Sequence, residues 1–365
     1  MKRRTPLIAL VLALVMLMSA CAMPGILTNS QKNQEGNEYN ADMENVTNAT
    51  ESNGRIWPWE DPSITLPEFT GTAAEPGSVT SLKIIVMGDA SAKDAWEFFP
   101  QIAKEAGIDI KISILCMNVN KSQQASIYNH RWQSFNYTHY QNTGDGWKTL
   151  SNSTSRKSVL ESENWQYFVI NQSIWDSGKA DTINAGDNTF LAEICRTVKN
   201  DIPGTKEKCL WMQTWAYEEN SRNNLFNGFG DYGENQMQMY NAINDAIQSC
   251  VVTEYYFKQK KEADKVATNA LKDSVIPVGT AVQNMREAYW SDGLTRDAEY
   301  LSNTGKVLAA LMLFKSLTGY DVNGLELSDP VFDHARPHLG VIKESVNNAY
   351  LNPYAVTPSV YNTAD

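Results

Sequence analysis

Features that mark several common classes of protein are missing from this chain of 365 residues. No Gly-Lys-Ser or Gly-Lys-Thr follows Gly88-Asp89, so the sequence lacks the glycine-rich loop that cradles nucleotide phosphates. The 5 cysteines match no zinc-binding spacing, and the chain has no internal repeat. The formal net charge of −11 disfavours nucleic acid as a partner. We therefore expect no cofactor, no metal and no nucleic-acid ligand.

The N-terminus has the pattern of an export signal. Three basic residues precede an apolar run at residues 7–18, which is too short to span a membrane. The small pair Ser19-Ala20 and then Cys21 follow, and this ending resembles a bacterial lipobox, in which the cysteine carries the lipid. We expect residues 1–20 to be a lipoprotein signal peptide and Cys21 to anchor the mature protein at the bacterial cell membrane or cell surface. The alternative is an ordinary signal peptide that leaves Cys21 as a free thiol.

Composition divides the rest of the chain into three parts. Residues 21–80 are rich in Asn, Glu, Gly, Thr, Ser and Pro, which indicates a flexible tether after the lipidated cysteine. Trp57-Pro58-Trp59 interrupts this tether, and we expect it to dock on the folded domain. Residues 81–350 are long enough for one sizeable core, and residues 351–365 are a C-terminal tail.

Short apolar runs alternate with helical patterns along the domain. The predicted strands are Leu82–Met87, Ile110–Met117, Trp165–Ile170, Cys209–Gln213 and Val275–Val278, the last near an edge because of its proline. The predicted helices are residues 95–106 with a kink or a break into two pieces at Pro100, 190–198, 235–247, 258–272, 280–289 and a buried terminal helix at 307–317 that ends at Gly319. This alternation predicts an α/β three-layer sandwich with a mostly parallel five-stranded sheet. The polar and aromatic stretch at residues 118–164 has weak periodicity and indicates a functional loop or undetected elements.

Five segments of the domain occur in the order expected for one known family. They are Gly88–Ala95, Thr214–Tyr217, Gln236–Ile243, Gly279–Asn284 and Leu294–Ser302. They resemble the Gly-Asn-Ser-Phe-Ser-x-Asp-Ala, Thr-Trp-Ala-Tyr, Gln-Met-x-Met-Tyr, Gly-Thr-Ala-x-Gln-Asn and Leu-Thr-Arg-Asp-Gly-x-His-Leu-Ser blocks of the DUF4886 branch of the SGNH (GDSL-like) hydrolases. The resemblance implies the flavodoxin-like SGNH-hydrolase fold and acyl-ester hydrolysis, often deacetylation of glycans. In that chemistry a serine attacks the carbonyl and an Asp-x-x-His pair activates it.

The sequence departs from this pattern at both decisive positions. Ala90 occupies the position of the nucleophile, and Tyr300, three residues after the retained acid Asp297, occupies the position of the base. Tyrosine is a poor base near neutral pH because its ordinary pKa is about 10. Loss of triad members typically costs several powers of ten in rate. We therefore expect an inactive hydrolase domain that binds a glycan, an acylated sugar or a cell-surface polymer.

Two alternatives remain open at this point. The protein is alternatively an active carbohydrate esterase in which Ser91 is the nucleophile and His130 or a C-terminal histidine is the base. Against this, Ser91-x-x-Asp94 before an apolar helical run fits a capping box, which by itself accounts for the serine. The second alternative is a lipid-tethered scaffold within a transport or surface-utilisation complex.

The candidate ligand-contacting residues lie mainly where strands end, as expected for sheets of this class. They are Asp89, Ser91, His130, Asn171, Gln172, Trp215 and Tyr300. His130 belongs to a segment that resembles one lining the family site. Trp132 and Trp147 are candidate platforms for sugar rings, whereas Trp215 is alternatively a core or pocket-wall residue. The four cysteines of the domain form disulfides or stay as buried thiols; they are Cys116, Cys195, Cys209 and Cys250.

Overall fold

The structure is a computed structural model that describes residues 63–117, 126–131, 136–184, 190–202, 208–219, 229–252, 274–290 and 293–362. Some of the sequence-based predictions fall outside these residues. They are the signal peptide, Cys21, Trp57-Pro58-Trp59, Trp132 and the helix at residues 258–272.

Seven strands form one sheet in the order β4-β3-β2-β1-β5-β6-β7. They are β1 (Ser81–Gly88), β2 (Asp109–Met117), β3 (Asn136–Asn142), β4 (Lys148–Ser155), β5 (Tyr167–Ile170), β6 (Lys208–Met212) and β7 (Val275–Ile276). β1, β2, β5, β6 and β7 pair in parallel and are the five strands that the apolar runs predicted. These runs are continuous because both faces of a parallel strand are buried. β7 lies at the edge of the sheet, as its proline indicated.

The sheet has two more strands than predicted, and both lie within residues 118–164, where no strand or helix was predicted. β3 pairs antiparallel with β2, and β4 pairs antiparallel with β3. β4 has the sequence KTLSNSTS and is mostly exposed, so it shows no alternation of apolar and polar residues. The hairpin belongs to the sheet because β3 pairs with the edge of β2. This pairing leaves no local pattern in the sequence, so the two strands were not predicted.

Ten α-helices are described. They are α1 (Ala90–Trp96), α2 (Phe99–Glu105), α3 (Ile127–His130), α4 (Arg156–Leu160), α5 (Ala180–Ile183), α6 (Phe190–Asp201), α7 (Gln236–Cys250), α8 (Val278–Met285), α9 (Asn303–Thr318) and α10 (Leu339–Leu351). They pack in two groups, with α1, α2, α8, α9 and α10 in one group and α3 to α7 in the other. The parallel strands are buried between them, which gives the three layers.

Two helix predictions need correction in part. The first helical pattern is in two pieces, as one of the two alternatives predicted, but the break follows Trp96. Pro100 lies in the first turn of α2, where its missing N–H is not needed. α9 is buried and ends at Gly319, which has a φ of 73° as a C-cap glycine should. However, α9 is not the terminal helix, because α10 packs against α8 and α9. The buried face of α10 includes Glu344 and Asn347, and these polar residues hid its pattern.

The folded domain also includes chain that the sequence assigned to the tether and to the tail. Ala74 N donates to Gly319 O over 2.8 Å, and Val79 N donates to Tyr320 Oη over 2.8 Å. At the other end, Thr280 Oγ1 donates to Pro353 O over 2.6 Å. Residues outside the boundaries predicted at 80 and 350 therefore contact the domain, and these single long-range contacts leave no periodic pattern in the sequence.

None of the helices in the described ranges is long and apolar enough to cross a membrane.

Candidate functional site

The turn between β1 and α1 is the centre of the candidate site. Asp89 caps α1, and its Oδ1 accepts a hydrogen bond from Ser91 N over 3.0 Å. The helix begins at Ala90, so the prediction that Ser91 opens a capping box is wrong. Aspartate is as good an N-cap as serine and stands earlier in the chain, so it takes the position.

The Ser91 hydroxyl belongs to a buried network that joins the ends of β1 and β5. Ser91 is fully buried, and its Oγ donates to Asp89 Oδ1 and accepts from Asn171 Nδ2 over 3.0 Å. Asn171 Nδ2 also donates to Gln172 O over 2.9 Å. Gly88 permits this approach, because a Cβ there would lie 2.1 Å from Asn171 Oδ1. Burial raises the pKa of Asp89, although the hydrogen bonds from Ser91 and Asn171 oppose the shift.

Ala90 is the exposed member of this turn. Its neighbours on both sides, Asp89 and Ser91, are buried. The side chain that faces solvent at the first position of α1 is therefore a methyl group. This is the position that the sequence pattern assigned to a nucleophile.

The position assigned to the base lies in a second turn. Asp297 is exposed, and its Oδ1 accepts from Tyr300 N over 2.7 Å and from Glu299 N over 3.2 Å. Ala298 between them has a φ of 70°, a left-handed conformation that favours glycine. The family block has glycine at this position. Asp297 therefore stabilises its own turn.

An ion pair holds this second turn against α1. Arg296 Nη1 lies 2.8 Å from Asp94 Oδ2, and Leu301 N donates to the same oxygen over 3.1 Å. Asp94 is buried, and burial raises its pKa while Lys306 and Arg296 oppose the shift. The positions of the nucleophile and the base, which are far apart in sequence, are thus on neighbouring elements.

Tyr300 is half-buried. Burial raises the pKa of its hydroxyl, and the negative charges of Asp89 and Glu299 raise it further. The Arg296 guanidinium lies 5.3 Å from the ring centroid. A hydroxyl with a raised pKa keeps its proton near neutral pH, so Tyr300 is a poorer base here than an ordinary tyrosine.

Glu299 is the site residue that sequence reasoning missed. It is 6% exposed, Trp175 Nε1 donates to its Oε1, and Trp215 Nε1 donates to its backbone oxygen over 2.7 Å. Burial raises the pKa of its carboxyl to about 7, and the charges of Asp297 and Asp89 add to the shift. The residue occupies a variable position of the family block, so no signal in the sequence marked it as buried.

Six of the seven predicted ligand-contacting side chains are at most 9% exposed, and only Tyr300 is half-buried. Gln172 Oε1 accepts from Ile127 N over 3.0 Å and from Ser173 N over 3.1 Å, so it holds α3 at the end of β5. His130 is fully buried, and its Nδ1 lies 3.1 Å from Tyr137 Oη. Both side chains form the floor and support of the site.

Trp147 does not form the exposed platform that the sequence predicted. It is half-buried, and its Nε1 donates to Glu97 O over 3.0 Å, which ties the β3–β4 hairpin to the end of α1. Trp215 is fully buried and is a wall residue. Across the described ranges, no three His, Cys, Asp or Glu side chains are grouped to hold a metal ion. None of the four cysteines of the domain is in a disulfide, and all four thiols are buried, which answers the question left open by their spacing.

Comparisons with known proteins place this domain in a family. A crystal structure of a DUF4886 family protein from Bacteroides uniformis has 26% sequence identity and a TM-score of 0.61, and the match covers 76% of this chain and 97% of that chain. A candidate SGNH hydrolase from Slackia heliotrinireducens has 13% identity and a TM-score of 0.35 over 65% of this chain and 100% of that chain, a likeness too distant to bear on the fold. No curated protein matches the sequence. The family model of DUF4886, a domain of unknown function, matches residues 83–329, and the chain therefore belongs to the DUF4886 family.

Proposed function

We propose that this protein is a membrane-anchored lipoprotein whose domain binds a glycan or an acylated sugar without hydrolysing it. The observation that carries the proposal is the exposed methyl group of Ala90 at the start of α1. Acyl transfer by a serine hydrolase requires a hydroxyl or thiol at this point, activated by an adjacent base. A methyl group cannot attack a carbonyl.

The neighbouring residues support the absence of hydrolysis. Ser91 is fully buried, and its hydroxyl hydrogen is donated to Asp89, so attack on a bound ester would require this oxygen to leave its buried hydrogen-bond network. Tyr300 stands where the base belongs, and its raised pKa keeps the hydroxyl protonated. One oxygen of the Asp297 carboxylate accepts a hydrogen bond from the backbone of its own turn.

Ligand binding is favoured over a scaffold role by the polar groups that remain at this edge of the sheet. Buried polar side chains reduce stability unless their hydrogen bonds are made, and an apolar core would avoid that requirement. Asp89, Asn171 and Glu299 are nevertheless buried near the carboxyl ends of β1, β5 and β6, where ligands bind in open α/β sheets. The sugar class of the ligand comes from the family resemblance.

The hydrolysis experiment measures turnover of p-nitrophenyl acetate by the natural chain, by Ser91→Ala and by the double variant Ala90→Ser with Tyr300→His. We expect the natural chain to be inert and the double variant to gain activity, because it restores both catalytic groups. Ser153→Ala is the matched control, since Ser153 is exposed on β4. Hydrolysis by the natural chain that Ser91→Ala abolishes would establish the esterase alternative.

The binding experiment measures the affinity of acetylated xylo-oligosaccharides and N-acetylglucosamine oligomers by titration calorimetry. Ala90→Arg places a long side chain at the exposed turn and should abolish binding. Leu150→Arg is the control, because Leu150 is 51% exposed on the distant hairpin strand β4. Equal affinities of the two variants would indicate that the ligand binds away from this turn. Failure of the natural chain to bind either sugar would favour the scaffold alternative.

The anchor is tested separately from the domain. Cells that express the natural chain or Cys21→Ser are labelled with a palmitate analogue and divided into membrane and soluble fractions. We expect labelling and membrane association for the natural chain alone, since lipidation requires that thiol. Membrane association without labelling would leave an uncleaved or ordinary signal peptide as the explanation.

A further inference from the structure

Arg156 is a buried cation without a counter-charge among the residues that the structure describes. It is the first residue of α4, and it is 3% exposed. An arginine side chain stays charged inside a protein. Its Nη1 donates to His130 O over 2.8 Å, and this is the one hydrogen bond that the side chain makes with the described chain. Its Nε is buried and has no acceptor there.

The elements around Arg156 offer no acidic side chain to neutralise it. β3, β4, α3 and α4 contain neither aspartate nor glutamate. α6 packs on α4 and contains Glu193 and Asp201, and neither carboxylate pairs with Arg156. The next acidic residues in the chain, Glu161 and Glu163, form ion pairs with lysines. A buried charge without a counter-charge lowers the stability of the fold, and a bound anion would offset that cost.

We propose that Arg156 binds an oxyanion, a carboxylate or phosphate group, through the side of its guanidinium that carries Nε and Nη2. Arg156 belongs to the helices α3 to α7, whereas Ala90 begins α1 in the other group of helices. The inference therefore goes beyond the proposed function and does not depend on it.

The geometry of the guanidinium determines the class of ligand. Nη1 donates to the backbone of α3, and neither Nε nor Nη2 donates to a described residue. These two nitrogens present parallel N–H groups on one side of a planar cation. Two oxygens of a carboxylate or a phosphate accept both N–H groups at once, which a single-atom anion such as chloride cannot do. The arrangement therefore favours an oxyanion over chloride.

Buried neighbours hold the backbone oxygen that orients Arg156. The His130 ring stacks on the Tyr137 ring, with centroids 5.8 Å apart and planes inclined by 11°, and His130 Nδ1 lies 3.1 Å from Tyr137 Oη. α3 is also fixed at its start, because Ile127 N donates to Gln172 Oε1 over 3.0 Å. A guanidinium that is already oriented loses little conformational entropy when an anion binds, and this raises affinity.

The first experiment observes the guanidinium directly. The full chain is labelled with ¹⁵N at its arginines, and the Nε–H signal of Arg156 is assigned with Arg156→Lys. Inorganic phosphate then replaces chloride at constant ionic strength, and sodium acetate does so in a parallel titration. We expect this signal to shift and saturate, and the anion that binds more tightly identifies the ligand as a phosphate or a carboxylate. A signal that saturates with neither anion would overturn the proposal.

The second experiment measures urea unfolding in the same anion and in chloride. At an anion concentration about ten times the dissociation constant, binding should lower the unfolding constant of the natural chain about tenfold. Phosphate also stabilises proteins without binding to a site, and Arg156→Met measures that part alone.

Arg336→Lys is the matched control for the urea measurement. Nε and Nη2 of Arg336 already donate to Leu327 O, so this variant should keep the full response to the anion. An equal response in the natural chain and in Arg156→Met would overturn the proposal. If Arg156→Met does not fold, the titration of the natural chain decides by itself.

Discussion

Ser91 donates its hydroxyl hydrogen to Asp89 and accepts a hydrogen bond from Asn171 Nδ2, 3.0 Å away. This one hydroxyl joins the cap of α1 to the end of β5. A serine two residues after a conspicuous Gly-Asp turn looks like a nucleophile in the sequence, yet its hydrogen bonds and full burial make it part of the frame.

Ser91→Ala should therefore change stability and leave the chemistry unaffected. Removal of the hydroxyl takes one hydrogen bond each from the buried Asp89 carboxyl and the buried Asn171 amide, which keep the backbone of residue 91 and Gln172 O as their remaining partners. Loss of these two bonds costs about 1–3 kcal/mol of the free energy of unfolding. Urea unfolding monitored by fluorescence measures this loss. Ser153→Ala on the exposed strand β4 should change stability by less than about 0.5 kcal/mol. Equal, small effects for both variants would contradict the network.

Ala298→Gly should stabilise the protein. Ala298 has a φ of 70°, where a Cβ costs about 1–2 kcal/mol, and glycine removes that cost while adding a smaller entropy to the unfolded chain. The expected net gain is about 0.5–1 kcal/mol, measured by thermal or urea unfolding. Ala355→Gly is the control, since Ala355 is exposed and has no left-handed backbone, and it should lose a few tenths. A loss of stability in Ala298→Gly would indicate that the left-handed backbone of Ala298 is not strained.

Phe69→Ala should loosen the segment that precedes β1. The Lys315 ammonium lies 3.4 Å from the Phe69 ring centroid and 4.9 Å from that of Tyr350. Loss of the ring removes a cation–π contact and apolar burial, together about 1–2 kcal/mol. Cleavage by endoprotease Glu-C at Glu68 should become faster, with Glu-C cleavage of a Leu150→Ala variant as the control. Unchanged cleavage would indicate that other contacts hold this segment.

The pH dependence of stability should reveal Glu299. Its pKa is raised from an ordinary 4.5 to about 7, so between these values the folded protein holds a proton that the unfolded chain has lost. This contribution is complete below about pH 4.5 and is lost as the pH rises through about 7. In Glu299→Gln the free energy of unfolding should fall less steeply over this range. Substitution of the exposed Glu68 by Gln should leave the pH dependence of the free energy of unfolding unchanged. The same pH dependence in Glu299→Gln as in the natural chain would contradict the raised pKa of Glu299.

The sequence by itself determined the layers of this fold. The runs that became β1, β2, β5, β6 and β7 are apolar because parallel strands are buried on both faces, and that property is local and visible. The glycine C-cap of α9 was visible for a similar reason, since only glycine adopts that backbone without strain. The departures Ala90 and Tyr300 were also visible, because a nucleophile and a base are defined by residue type.

Only the tertiary structure decided how the site is built. β3 and β4 belong to the sheet because β2 offers an edge. The polar buried face of α10 is stabilised by the segment after the helix, where Val360 N donates to Glu344 Oε1 over 2.7 Å. Ser91 is buried where Asp89 caps α1, and Glu299 is part of the site because Trp175 and Trp215 reach it from the segments that follow β5 and β6. Hydrogen bonds between distant residues have no period in the sequence. The sequence thus showed that Ala90 and Tyr300 replace the nucleophile and the base. The arrangement of the remaining polar side chains could be seen only in the folded structure.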